Sequence, residues 1–92
     1  MVGVCEIRLH LPGVSSLKGK RKIIKGMKDR IRNKFNVSIA ELDAHDKWQI
    51  AVLGVACIHK DRIMIDQVLN HVVNIIESTP TVLLTDYFID FV

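Results

Sequence analysis

Aromatic residues make up only 5% of this 92-residue chain: one Trp, one Tyr and three Phe. That scarcity argues against a base-stacking platform of the kind single-stranded RNA-recognition sheets carry. Two cysteines, Cys5 and Cys57, are too few for the disulfide framework of a small secreted domain, and both read as small core hydrophobes in a reducing compartment. The longest uncharged apolar run, Ile50 to Ile58, is less than half of what a membrane-spanning helix needs. Glu6 and Arg8 interrupt the N-terminal stretch too early for a secretory signal, so a cytoplasmic location is expected. There are no repeats and no Pro-, Gly- or Ser-rich linker, and at this length one domain, residues 1–92, is expected. Against these absences stand 49% apolar and 25% charged residues, enough for a packed core and too apolar for disorder.

Hydrophobic periodicity changes four times along the chain. Val2 to Leu11 alternates, with Cys5, Ile7, Leu9 and Leu11 on one side and Glu6, Arg8 and His10 on the other, the pattern of a strand with one wet face. Pro12-Gly13 ends it, and Ser15 or Ser16 stands where a helix N-cap belongs, a hydroxyl able to accept a free backbone N–H and to attract an anion there. From Leu17 the apolar residues Ile24, Met27, Ile31 and Phe35 recur at helical spacing. Asn36 to Asp43 and Lys47 to His59 read as a hairpin around Ala44-His45-Asp46. Asp61 to Ser78 is a second helix stopped by Thr79-Pro80, and Thr81 to Val92 is the last strand. The order βαββαβ with right-handed crossovers predicts an α+β ferredoxin-like plait: a four-stranded antiparallel sheet in the order 4-1-3-2, with both helices on one face.

The net charge of +3 averages two unlike parts. Nine of the thirteen Lys and Arg residues lie between Lys18 and Lys34, opposed only by Asp29, while the remainder is acidic. At about 100° per residue with Ile24 at zero, Lys28, Arg21, Arg32, Lys25, Lys18 and Lys22 run from about 40° to 160°, beside the apolar stripe. Lys20 falls within the stripe, in the first turn, where its stem can carry the ammonium to water. Like charges at i, i+3 and i, i+4 destabilise a helix by a few tenths of a kcal/mol per pair. Phosphate is the polyanion that neutralises such a band with added counterion release. Lys18, Lys20, Arg21, Lys22, Lys25, Lys28 and Arg32 are therefore the candidate nucleic-acid contacts, with Ser15 and Ser16 at the helix start.

Other motifs fail on spacing. Between Gly13 and Lys20 five residues intervene before the glycine, and Arg21 follows the lysine, so the segment is no P-loop. Ser15-x-x-Lys18 lacks every partner of a serine acyl-enzyme site. The loop after the first strand has no arginine to cradle an acyl phosphate. Asp43, His45 and Asp46 form a polar turn without a fourth ligand, so no metal, cofactor or catalytic residue is assigned. In the strand Lys47 to His59 both faces are apolar: Trp48, Ile50, Val52 and Ile58 on one, Ala51, Leu53, Val55 and Cys57 on the other. A strand buried on both faces needs two covers. A second copy of the sheet, docking on Trp48, Ile50 and Val52, is the expected alternative role: a homodimerisation or protein-interaction face.

Ser16-Leu17-Lys18, Lys20-Arg21, Lys28-Asp29-Arg30, Phe35-Asn36-Val37-Ser38, Glu41, Trp48-Gln49 and Leu53-Gly54-Val55-Ala56 resemble the YlxP-like family of small bacterial proteins. The resemblance runs from the first strand to Asp66 and departs at Gly19, where the family is usually acidic, and at Ile50 and Val52, where alternate positions are commonly polar. It implies a ferredoxin-like fold in a cytoplasmic protein without established enzymatic activity, its gene often lying beside that for ribosome-binding factor A. RNA or the ribosome is the partner that this setting and the basic helix together predict.

Overall fold

Six elements follow one another through residues 1–92, all described by the computed structural model: β1 (Val2–His10), α1 (Leu17–Lys34), β2 (Ser38–Asp43), β3 (Ile50–Ile58), α2 (Arg62–Glu77) and β4 (Leu83–Phe91). The strands form one antiparallel sheet in the order β2-β3-β1-β4, the expected 4-1-3-2 order read from the other edge. Both helices cover the face to which Cys5, Ile7 and Leu9 of β1 and Ala51, Leu53, Val55 and Cys57 of β3 point. α2 delivers Ile65, Leu69, Val72, Val73 and Ile76 to that core, and α1 delivers Ile24, Met27 and Ile31. The opposite face of the sheet carries no helix.

Local chemistry fixes the helix starts. Ser16 is extended and its Oγ accepts the Gly19 N–H at 3.0 Å, so it, not Ser15, caps α1. Asp61 does the same for α2, accepting the Ile63 N–H at 2.9 Å. Strand starts are later than periodicity alone predicts. β3 begins at Ile50 because Gln49 is spent on the β1–α1 loop. Its carbonyl accepts the Leu11 N–H at 2.9 Å, and its amide donates to the Val14 carbonyl at 3.1 Å. β4 begins at Leu83 because the Val82 N–H closes a turn onto the Thr79 carbonyl at 3.2 Å. β2 meets β3 with an irregularity between Glu41 and Asp43, which sets Leu42 apart from the ladder. The following turn places Ala44 at φ 64, a left-handed backbone that an L-residue adopts at a cost of roughly 1 kcal/mol.

Candidate functional site

The basic residues of α1 divide by what they touch. Lys18, Arg21, Lys22 and Lys28 have no carboxylate within ion-pairing distance. Lys25 Nζ lies 2.6 Å from Asp29 Oδ2, and Arg32 Nη1 lies 3.9 Å from Asp29 Oδ1. The hydrogen bond from Lys25 holds the Asp29 carboxyl below the usual carboxylate range, helped by the charges of Lys25, Arg32 and Lys28. Asp29 is thus the one acidic residue within a helix of nine cations. Arg32 Nη2 also donates to the Ile39 carbonyl at 2.7 Å, so this flank of α1 overhangs the edge strand β2. Arg30, on the opposite flank, donates to Thr79 Oγ1 at 2.7 Å and serves to hold the α2–β4 connection.

Lys20 is a correction to the predicted set. Its side chain is 1% exposed, and its Nζ donates to the Ala44 carbonyl and lies 2.8 Å from Glu41 Oε2. The Glu41 contact is ionic and off the hydrogen-bond direction, since Oε2 is buried without a hydrogen-bond donor. The ammonium does not snorkel to water, because the β2 end and the hairpin turn close over the first turn of α1 and offer it a carboxylate and a carbonyl. Lys20 cannot reach a phosphate. It is a tie between helix and turn.

The predicted interface residues also separate. Trp48 sits in the β2–β3 turn and Ile50 at the start of β3, both exposed, whereas Val52 is only 8% exposed, between its cross-strand neighbours Arg8 and Asp43. The apolar surface of the open face lies further along the sheet. There a groove of about 410 Å³ has Gly54, Ala56 and Ala40 on its floor, and Leu42, Val4 and Phe88 around it. Sequence reading missed Leu42 and Phe88, since one sits at a strand irregularity and the other enters from the far edge strand.

Asp43, His45 and Asp46 are used as turn chemistry: Asp43 Oδ1 accepts the Ala44 N–H, and the His45 ring contacts the Glu41 carbonyl. Cys5 and Cys57 are buried free thiols. Burial pushes Cys5 up to about 11 and Cys57 upward as well, so neither is a nucleophile at neutral pH. Because folding raises the Cys5 value above the ordinary 9.0, its contribution to stability is complete below pH 9 and is lost as pH rises towards 11. Thermal unfolding from pH 8 to 11 should therefore fall more steeply for the native chain than for Cys5→Ala. Parallel curves would show that Cys5 carries no such linkage.

No helix is long and apolar enough to cross a membrane. A de novo designed protein, Foldit4, matches with a TM-score of 0.62 and 16% identity, covering 100% of this chain and 99% of that one, a likeness of fold alone. The uncharacterised protein YlxP of Bacillus subtilis (strain 168) is 35% identical over 92 residues, covering 96% of this chain and all of the relative. The DUF503 family, described as a protein of unknown function, matches residues 2–89, and the chain belongs to that family.

Proposed function

We propose that the protein is a non-enzymatic accessory factor that binds the phosphate backbone of structured RNA, on or beside the ribosome, through the α1 flank that overhangs β2. One observation carries this reading: Lys18, Arg21, Lys22 and Lys28 share a flank without a carboxylate partner, with Lys25 and Arg32 beside them held by the single Asp29. The 18-residue helix is about 27 Å long, so the flank spans several phosphates of a duplex. The two central strands turn Glu6, Arg8, Gly54 and Ala56 outward, with no aromatic among them, which favours backbone and shape over base readout. A binding role also fits the use of the polar groups near α1: Ser16 caps the helix and Lys20 is buried. The ribosomal setting is the one the YlxP-like resemblance implies.

A titration with a structured RNA hairpin from 50 to 300 mM salt tests this. Four to six neutralised phosphates give a slope of log K on log salt of roughly −3 to −5. Arg21→Glu with Lys28→Glu should weaken binding at 50 mM salt at least about thirtyfold and flatten the slope by about 2, while Lys60→Glu, in the loop before α2, changes little. Salt-insensitive binding, or binding that survives the double reversal, excludes the α1 flank.

A further inference from the structure

We propose that the open face of the sheet docks a basic amphipathic helix of a partner protein, its apolar stripe lying in the groove and its lysines or arginines meeting carboxylates of β1 and β4. The strand register fixes what this face presents. Ala56, Val4 and Asp90 form one row across β3, β1 and β4, and Ala40, Gly54, Glu6 and Phe88 form the next across all four strands. The small residues of β2 and β3 make the groove floor. Leu42 leans over Gly54 from one side and Phe88 stands on the other, at 55% and 52% exposure.

Charge selects the occupant. The register turns four carboxylates to this face, those of Glu6, Asp43, Asp86 and Asp90, against one guanidinium, that of Arg8. Arg8 lies opposite Asp86, yet its one ion-pair contact is with Glu6, at 3.8 Å. Asp86 and Asp90 have no cation within ion-pairing distance. Such a face repels a phosphate chain, so it and the α1 flank call for opposite partners. A neutral apolar segment would bury the carboxylates unpaired, at a cost. A second copy of the sheet would add four more of them. A helix that brings cations beside its apolar side chains satisfies both the groove and its acidic border.

The dimensions fit a helix. Three strand spacings of about 4.8 Å set β2 and β4 about 14 Å apart, a width that takes a helix about 10–12 Å across, lying along the strands between Leu42 and Phe88. The groove of about 410 Å³ receives its apolar stripe, the helix-in-groove mode of peptide recognition. Asp86 and Asp90 flank Phe88 on β4, about 13 Å from each other along the strand. Cations about two turns apart on one side of the bound helix reach both. Glu6, directly opposite Phe88, meets a third between them.

Fluorescence anisotropy with a labelled peptide of about 18 residues, leucines at helical spacing and lysines elsewhere, tests the docking. RNA is left out, so the result stands apart from phosphate binding. The native chain should bind this peptide with a midpoint below about 100 µM at low salt, and amide shifts should centre on Gly54, Ala56 and Phe88, not on α1. Asp86→Asn with Asp90→Asn, and separately Phe88→Ser, alter exposed side chains and should weaken binding at least about tenfold with unchanged circular dichroism. A peptide with Glu for every Lys, and one of the same composition with its leucines out of register, should bind at least about tenfold more weakly. Binding that is indifferent to either variant, equal binding of either control peptide, or shifts confined to the helices overturns the proposal. So does a native chain whose mass grows with concentration in sedimentation without peptide, since its own α1 would then be the occupant.

Discussion

Lys20→Ala should destabilise the protein by about 3 kcal/mol, although it removes one lysine from a helix that has an excess of them. The side chain is 1% exposed, and its loss leaves the Glu41 carboxylate, with 13% of its side-chain surface accessible, without its cation. Breaking one member of a buried pair costs about 3–5 kcal/mol, and the residual access of water to Glu41 places this case at the lower end. The Ala44 carbonyl also loses its donor, in a turn already held at φ 64. A domain of this size has roughly 5–14 kcal/mol in total, so the melting temperature should fall by about 12–24 °C. Glu41→Ala should cost a similar amount, since it leaves the ammonium stranded. Lys20→Met with Glu41→Leu removes both charges and keeps the packed volume, and should lie within about 2 kcal/mol of the native chain, the remainder reflecting the orphaned carbonyl. Urea denaturation of the three variants checks these values. A loss below about 1 kcal/mol for Lys20→Ala would mean that the pair is hydrated and holds nothing.

That pair also marks the limit of what was legible from the sequence. The alternation of Cys5, Ile7 and Leu9, and the helical spacing of Ile24, Met27 and Ile31, are local patterns, and each buries the residues it predicts. Strand order follows from the element order and the handedness of crossovers. Lys20 lay inside the apolar stripe by angle, yet its fate depended on Glu41, which reaches it only after β2 docks beside α1. Single-residue periodicity could not show that partner. The interface was misplaced for a related reason. Period-two reading from Lys47 put Trp48, Ile50 and Val52 on one surface, but Gln49 is committed to the β1–α1 loop and Trp48 stands outside the strand. The groove instead combines Gly54 with Phe88 and Leu42 from the two edge strands, a juxtaposition that only the register of all four strands creates.

Two glycines on opposite faces of this sheet should respond differently to the same added methyl group. At Gly3, on the helix face of β1, a Cβ would meet Ile65 Cγ2 at 2.3 Å and Leu69 Cδ1 at 3.1 Å. Ile65 and Leu69 are fully buried and branched, so neither can swing aside without lifting α2 from the sheet. Overpacking of this kind costs about 1–3 kcal/mol, and Gly3→Ala should fall at the upper end, with Gly3→Val leaving little folded protein at 37 °C. At Gly54, on the open face of β3, a Cβ would meet Leu42 Cδ1 at 2.6 Å and Leu42 Cγ at 2.9 Å, also too close, but against an exposed side chain. Leu42 can rotate into solvent, so Gly54→Ala should change stability by less than about 1 kcal/mol. Paired urea denaturation of Gly3→Ala and Gly54→Ala would separate the faces by at least about 1.5 kcal/mol. Equal losses would mean that the open face is packed as tightly as the core, and that Leu42 is not free to give way above the groove.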